Sequence, residues 1–174
     1  MPPSTEQVFI SLGSNLGDRL RHLHMALEGL RTFTTVLRVS SAYESEPVEY
    51  TAQPWFLNAV LCLHTPLEPE ALLVRMLELE RLLGRDRSHQ AIPKGPRVLD
   101  LDLIAYGERA VDTPTLTLPH PALHRRRFVL QPLAEIAPGW RHPVLGMTAH
   151  ELLRALPAND GQVRRFAPLE EPTA

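Results

Sequence analysis

Cysteine, lysine and aromatic residues are scarce in this chain. Cys62 is the only cysteine in 174 residues, which excludes an intramolecular disulfide and is typical of a reducing compartment. Aromatic residues make up 6% and the net charge is −2, which argues against general nucleic-acid binding. No apolar run approaches membrane length, and the first residues lack a basic-then-apolar pattern. We therefore expect a cytoplasmic protein with no membrane or nucleic-acid partner.

The composition is typical of a globular protein with one domain. Hydrophobic residues make up 44% of the chain and charged residues 22%, and the length is sufficient to bury a core. Lys94 is the only lysine, so nearly all basic side chains are arginines. We predict a single domain over residues 1–168 and a disordered tail over residues 169–174.

Two carboxylates stand out in the apolar run from Val98 to Tyr106, which is typical of a strand. Alternate residues of a strand share a face, so Asp100 and Asp102 point one way and the intervening leucines point into a core. Like charges on one face repel unless a cation lies between them, and Mg²⁺ prefers carboxylate oxygens. The acid pair alone favours a simpler alternative, a solvated acidic face on an edge strand.

Nearby arginines favour the metal interpretation. Guanidinium groups precede the acid pair and others follow it, at Arg85, Arg87, Arg97 and 125–127. Guanidinium groups bind phosphate oxygens in a fork-like geometry, and carboxylates can hold a divalent cation. Together these residues indicate a site for a metal and a polyphosphate.

The order of the predicted elements indicates an α+β fold. Strands are expected at 8–12, 36–43, 56–64 and 98–106, with amphipathic helices after the first and third of them. This βαββαβ order is the ferredoxin-like arrangement, here followed by a C-terminal α/β extension. We expect an antiparallel sheet with helices on one face, leaving the other face for loops and ligand.

Several residues mark the ends of these elements or interrupt their pattern. Asp18 is a predicted helix N-cap, Gly84 ends the second helix, and Thr148 with Glu151 forms a capping box for a helix to about residue 156. Segment 123–132 is predicted to be short and basic, 134–144 a connection, and 162–166 an edge strand. Asn58 lies within an apolar strand, where it is either a satisfied core amide or a group that contacts ligand.

Five motifs resemble the 6-hydroxymethyl-7,8-dihydropterin pyrophosphokinase family (2-amino-4-hydroxy-6-hydroxymethyldihydropteridine diphosphokinase). They occur in family order at 10–18, 40–47, 56–59, 95–102 and 119–133, and the Gly-Pro-Arg-x-Leu-Asp-Leu-Asp string is the most specific. The resemblance implies transfer of the β,γ-pyrophosphoryl group of ATP to the pterin hydroxymethyl oxygen, with release of AMP, in tetrahydrofolate biosynthesis. It also implies a monomer.

The resemblance implies roles for individual residues. Asp100 and Asp102 would hold two Mg²⁺ ions, and Arg85 and Arg97 would act in catalysis beside them. The implied ATP-binding residues are Glu80, Arg85, Arg87, Arg97, Leu103, Thr117, His120 and Arg126. The implied pterin-binding residues are Ser45, Glu46, Pro47, Val48, Phe56, Asn58 and Phe128.

This chain departs from the family pattern beside the pterin pocket. Lys94 occupies a position where many members have an aromatic residue that covers the pterin, and the preceding loop is longer. Pro121 and Leu77 replace the tyrosine and glutamine of some members. None of these departures involves the acid pair.

Two other function classes fit parts of the sequence. A non-enzymatic ferredoxin-like ligand-binding module would not need paired acids near several arginines. A metal-dependent phosphodiesterase would use more ligands than two carboxylates, and the eight histidines show no such spacing.

Overall fold

The computed structural model describes residues 6–47, 51–84, 98–158 and 161–170. The strands in these residues are β1 (Val8–Ser14), β2 (Thr35–Val39), β3 (Ser41–Ser45), β4 (Phe56–His64), β5 (Asp100–Tyr106), β6 (Val111–Asp112), β7 (Thr117–Leu118) and β8 (Val163–Pro168). The helices are α1 (Arg19–Arg31), α2 (Pro69–Leu82), α3 (Arg127–Ile136) and α4 (Ala149–Ala155), with a 3-10 turn at Leu123–Arg125. No helix in the described ranges is long and apolar enough to cross a membrane.

The main sheet is antiparallel, with the strand order β5-β1-β4-β3-β8 and β2 paired to β4 beside this path. The elements from β1 to β5 form the βαββαβ unit of the ferredoxin-like fold. This confirms the predicted fold class. Strand β8 belongs to the C-terminal extension and covers the outer edge of β3.

The predicted strand over 36–43 is two strands in the structure. Ser40 separates β2 from β3, and both strands pair with β4. The Ser40 hydroxyl accepts a hydrogen bond from the Val60 amide at 2.9 Å and donates one to the Ser41 carbonyl at 2.7 Å. The pairing with β4 shifts by one residue between β2 and β3, and the Ser40 hydroxyl supplies an acceptor for the Val60 amide at this shift.

The two helices of the βαββαβ unit lie on one face of the sheet, as predicted, whereas α3 of the C-terminal extension packs on the other face, where only loops and ligand were expected. One core packs α1 and α2 against residues such as Ile10 and Leu61. A second core, on the opposite face, packs Val129 and Leu133 of α3 against Phe9. The basic residues and prolines at 123–144 hid this helix from an interpretation based on sequence pattern.

The chain makes contacts with the domain beyond its last strand. Leu169 is 1% exposed and belongs to the first core, and Glu170 forms an ion pair with Arg31 of α1. The disordered tail over residues 169–174 stays a prediction. Residues 171–174 lie outside the described ranges.

The predicted helix ends agree with the structure. The Asp18 carboxylate accepts from the Arg21 amide at 3.2 Å, and Gly84 has a φ of +97° directly after the α2 C-cap. Thr148 and Glu151 form the predicted capping box at α4. These local patterns are visible in sequence because each one satisfies backbone groups within a few residues.

We predict that Thr148→Ala lowers the free energy of unfolding by about 1 kcal/mol, because the helix loses the acceptor for its Glu151 amide. Urea unfolding measures the change. Thr148→Ser is the matched control and should retain most of the stability, because it keeps the hydroxyl. Equal stability of the alanine and serine variants would contradict a role for the cap.

Candidate functional site

A cavity of about 520 Å³ opens on the α3 face of the sheet, beyond the part that α3 covers. This volume is typical of small-molecule sites. Its wall combines apolar and polar side chains from four strands, two helices, the 113–121 segment, the connection between β3 and β4, and the residue before α3: Ser11, Gly13, Ser45, Glu46, Pro47, Gln53, Phe56, Asn58, Leu73, Leu77, Asp100, Leu101, Asp102, Leu103, Thr113, Pro114, Thr115, Leu116, Thr117, His120, Pro121, Arg126 and Phe128.

A row of paired residues crosses the sheet at the cavity, and three of its four members, Asp100, Gly13 and Asn58, form the cavity floor. Asp100 pairs with Gly13, Gly13 with Asn58, and Asn58 with Tyr43, across four adjacent strands. Directly paired residues in antiparallel strands share a face, and neighbouring strands lie about 5 Å apart. The acid and the amide are therefore two strands apart, about 10 Å between their backbones, with a glycine between them.

Gly13 leaves the floor open at this point. A Cβ built on Gly13 would lie 3.1 Å from Asn58 Oδ1, closer than ordinary van der Waals contact. A side chain at this position would therefore press on the Asn58 amide, and its absence leaves room between the acid pair and the amide. Sequence reasoning placed Gly13 in a motif without identifying this contact.

Asn58 is held in one orientation at the cavity wall. It is 4% exposed, and its Nδ2 donates to Ser45 Oγ at 2.5 Å. Phe56 and Phe128 line the same end, and the Arg126 guanidinium lies 5.6 Å from the centre of the Phe128 ring. A fixed amide beside aromatic rings is suited to a flat heteroaromatic ligand with polar edges.

The acid pair lies on the cavity face, as strand alternation predicted. Asp100 and Asp102 are both half-buried, and Asp102 pairs with Ser11 of β1. The described residues contain no group of three or more acidic, histidine or cysteine side chains suited to a metal. Two carboxylates fit Mg²⁺, which is commonly held by one or two carboxylates with substrate oxygens and water completing its coordination.

The other end of the cavity is more apolar. Leu73 and Leu77 of α2 face a turn from Thr113 to Leu116, in which the Thr113 amide donates to the Leu116 carbonyl at 2.9 Å. The His120 ring is oriented by its Nδ1, which accepts from the Ala122 amide at 3.1 Å. Sequence reasoning did not predict the 113–116 turn as part of the site, although the Thr-Pro-Thr pattern between two short strands was available.

Most predicted site residues in the described ranges come together in this cavity. They are Ser45, Glu46, Pro47, Phe56, Asn58, Asp100, Asp102, Leu103, Thr117, His120, Arg126 and Phe128. Glu80 is not among the lining residues. It is 1% exposed, and its Oε1 accepts from the Leu101 amide at 2.7 Å, so the carboxylate braces the outer edge of β5. Val48, Arg85, Arg87, Lys94 and Arg97 lie outside the described residues.

The fold and cavity define a ferredoxin-like domain with a small-molecule site that combines an acid pair and a fixed amide. The model of the family described as 7,8-dihydro-6-hydroxymethylpterin-pyrophosphokinase (HPPK) matches residues 9–138. The chain belongs to this family.

Known proteins resemble the chain over most of its length. The chain is 42% identical over 130 residues to the 2-amino-4-hydroxy-6-hydroxymethyldihydropteridine pyrophosphokinase of Bacillus subtilis, covering 74% of this chain and 76% of that protein. Identity to the enzyme of the same name from Pseudomonas aeruginosa is 39% over 154 residues, covering 87% and 93%. The folic acid synthesis protein fol1 of Pneumocystis carinii is 41% identical over 148 residues.

Some relatives are much longer than this chain. The match covers 82% of this chain but 19% of the Pneumocystis carinii protein. The crystal structure of wild-type Plasmodium falciparum HPPK-DHPS superposes with a TM-score of 0.68 at 14% identity, covering 87% of this chain and 45% of that one. At this identity the structural likeness shows the fold alone.

We predict that Gly13→Ala moves the Asn58 amide away from Ser45 and lowers the free energy of unfolding by about 1–3 kcal/mol, because a methyl group overpacks the floor. The Asn58 side-chain amide resonances in NMR spectra report the movement, and urea unfolding reports the stability. Gly139→Ala is the control, since a Cβ added at Gly139 would have no neighbouring atom within 4 Å. Unchanged Asn58 resonances in Gly13→Ala would contradict the close approach.

Proposed function

We propose that this chain transfers the β,γ-pyrophosphoryl group of ATP to the hydroxymethyl oxygen of 6-hydroxymethyl-7,8-dihydropterin in folate biosynthesis. The observation that carries the proposal is the single row that puts Asp100 two strands from Asn58 in one cavity. Membership of the pyrophosphokinase family supports the same reaction. The wider activity and partners of the longer relatives are not part of the proposal.

The Asn58 end of the cavity is the proposed pterin pocket. The fixed amide would hydrogen-bond to a polar edge of the pteridine, and Phe128 would stack on its face. Ser45 holds the amide, while Glu46, Pro47 and Phe56 complete the described wall. Val48 remains a prediction from the family resemblance.

The opposite end is the proposed nucleotide pocket. Leu103, Thr117 and His120 line it beside the leucines of α2, which suits a nucleoside with one apolar face. Arg126, whose guanidinium lies beside Phe128 at the pterin end, would bind phosphate oxygens that extend toward that end. Glu80 would act through the position of β5, and Arg85, Arg87 and Arg97 remain predicted phosphate contacts.

Asp100 and Asp102 would hold two Mg²⁺ ions. Bound there, the ions would neutralise phosphate charge and help align the reacting oxygens. The half-buried carboxylates on one strand face support this assignment, because their mutual repulsion decreases when a cation is bound.

The reaction needs accurate placement more than covalent help from the protein. The pterin hydroxymethyl oxygen bonds to the β-phosphorus while the bond from that phosphorus to the oxygen it shares with the α-phosphorus breaks. AMP leaves with that oxygen, and the hydroxyl proton is released. The rigid sheet would position the pterin through Asn58, and the 113–121 segment would position the nucleotide.

A non-enzymatic ligand-binding module is the alternative, but nothing in such a role requires the half-buried acid pair.

We further propose that the protein is a cytoplasmic monomer. Sedimentation at micromolar concentration tests the oligomeric state.

Product analysis tests the proposed reaction. Incubation with ATP, Mg²⁺ and 6-hydroxymethyl-7,8-dihydropterin should give AMP and the pterin diphosphate, and AMP should not form without pterin. ADP would instead indicate transfer of a single phosphoryl group. Pterin binding without any product would support the binding-module alternative.

We predict that Asp100→Asn and Asp102→Asn each lower kcat by a factor of at least about 100, because the carboxylate charge that holds the cation is lost. Steady-state assays at saturating ATP and Mg²⁺ measure the loss. Asp112→Asn is the control, because Asp112 is an exposed acid on β6 that does not line the cavity. Wild-type turnover in either cavity variant would remove the metal assignment.

A further inference from the structure

A carboxylate on α3 accepts hydrogen bonds from β3, the strand that carries part of the cavity wall. Glu135 Oε1 accepts from the Tyr43 hydroxyl at 2.5 Å, and Oε2 accepts from the Ser41 amide at 3.0 Å and from its hydroxyl at 3.2 Å. The Arg165 guanidinium of β8 donates to the same Ser41 hydroxyl at 2.9 Å. Three donors from β3 therefore meet one carboxylate from α3.

The Tyr43 hydroxyl is buried and holds its proton more firmly than an exposed tyrosine does. Tyr43 is 7% exposed, and burial together with the hydrogen bond to Glu135 raises the pKa of its hydroxyl. A buried hydroxyl without its acceptor would lose a hydrogen bond that water could not fully replace. The contact between Tyr43 and Glu135 is therefore a specific link between strand and helix.

Helix α3 and strand β3 lie side by side in opposite directions. Glu135 meets Ser41 and Tyr43 near one end, while Phe128 and Ser45 line a common pocket at the other. Phe128 and Glu135 are about 10 Å apart along the helix, and Ser41 and Ser45 are about 13 Å apart along the strand. A shift of the helix at Glu135 would therefore move Phe128 relative to Ser45.

Apart from its apolar packing on the sheet, α3 has few local restraints. Its N-cap residue, Arg126, makes no side-chain capping bond, and Pro132 interrupts its internal hydrogen bonds. Tyr43 also pairs directly with Asn58, so β3, which is hydrogen-bonded to Glu135, lies next to the amide at the cavity floor. The contact at Glu135 thus connects the two sides of one pocket.

We propose that Glu135 and Tyr43 are positioning residues that set the spacing between Phe128 and the Asn58–Ser45 pair. The proposal rests on the assignment of this end of the cavity to the pterin. Neither residue lines the cavity, so both act through the residues that do. Their loss should weaken pterin binding more than ATP binding, because Leu103, Thr117 and His120 lie on neither α3 nor β3 and only Arg126 adjoins the helix.

The test compares Glu135→Gln and Tyr43→Phe with wild type. Each variant should raise the Kd and KM for 6-hydroxymethyl-7,8-dihydropterin by about five- to tenfold, because each weakens or removes the charge-assisted hydrogen bond between Tyr43 and Glu135. The KM for ATP should stay within about twofold. Binding is measured by fluorescence titration, and KM and kcat by AMP release. The double variant should lose no more than the larger single effect, since both changes break the same contact.

Thr148→Ala is the control for general destabilisation, because its cap lies on α4 and its side chain is not part of the cavity wall. Unchanged pterin affinity in both variants would overturn the proposal. So would equal losses of affinity for pterin and for ATP that match the loss of thermal stability, as expected for general destabilisation in Thr148→Ala. If Glu135→Gln does not fold, Tyr43→Phe alone decides, because it removes one hydroxyl and retains the ring. Wild-type protein that neither binds pterin nor forms AMP would instead overturn the proposed function.

Discussion

The register of β1 between β4 and β5 is the constraint on which the site depends. One row brings Asp100, Gly13 and Asn58 to the same face of the sheet, although they come from separate parts of the chain. A shift by one residue would turn the acid and the amide toward the opposite core. The apolar residues that alternate with them along the strands, such as Leu12 and Leu101, prevent that shift because they are buried in the core on the other face of the sheet.

One face of the sheet both packs against α3 and forms the base of the cavity, because α3 covers only part of that face. Helix α3 packs on Phe9, Val60 and Cys62, and the cavity begins where the polar residues of the strands replace this apolar cluster. The site is thus built on strands whose other face is fully buried. Such a base holds side chains firmly while leaving one side accessible to ligand.

Whether a feature of the site could be predicted from sequence depended on how far apart along the chain its interacting residues lie. Asp100 and Asp102 were predictable because strand alternation has a period of two residues, and the caps at Asp18 and Thr148 because they act within one turn. The contact between Tyr43 and Glu135 spans 92 residues and leaves no local pattern. Helix α3 was missed because Pro132 and a basic start disguise it, although burial against the sheet stabilises it.

Glu80 also affects how the sheet meets other chains. Its carboxylate accepts a hydrogen bond from the Leu101 amide on the outer edge of β5. At the opposite side of the sheet, β8 pairs with β3. Exposed strand edges allow intermolecular pairing, and charged groups at an edge discourage it. The β5 edge of this sheet is therefore protected against edge-to-edge aggregation by a single buried acid. The opposite edge is β8 itself, whose Arg164, Arg165 and Pro168 discourage pairing with another chain.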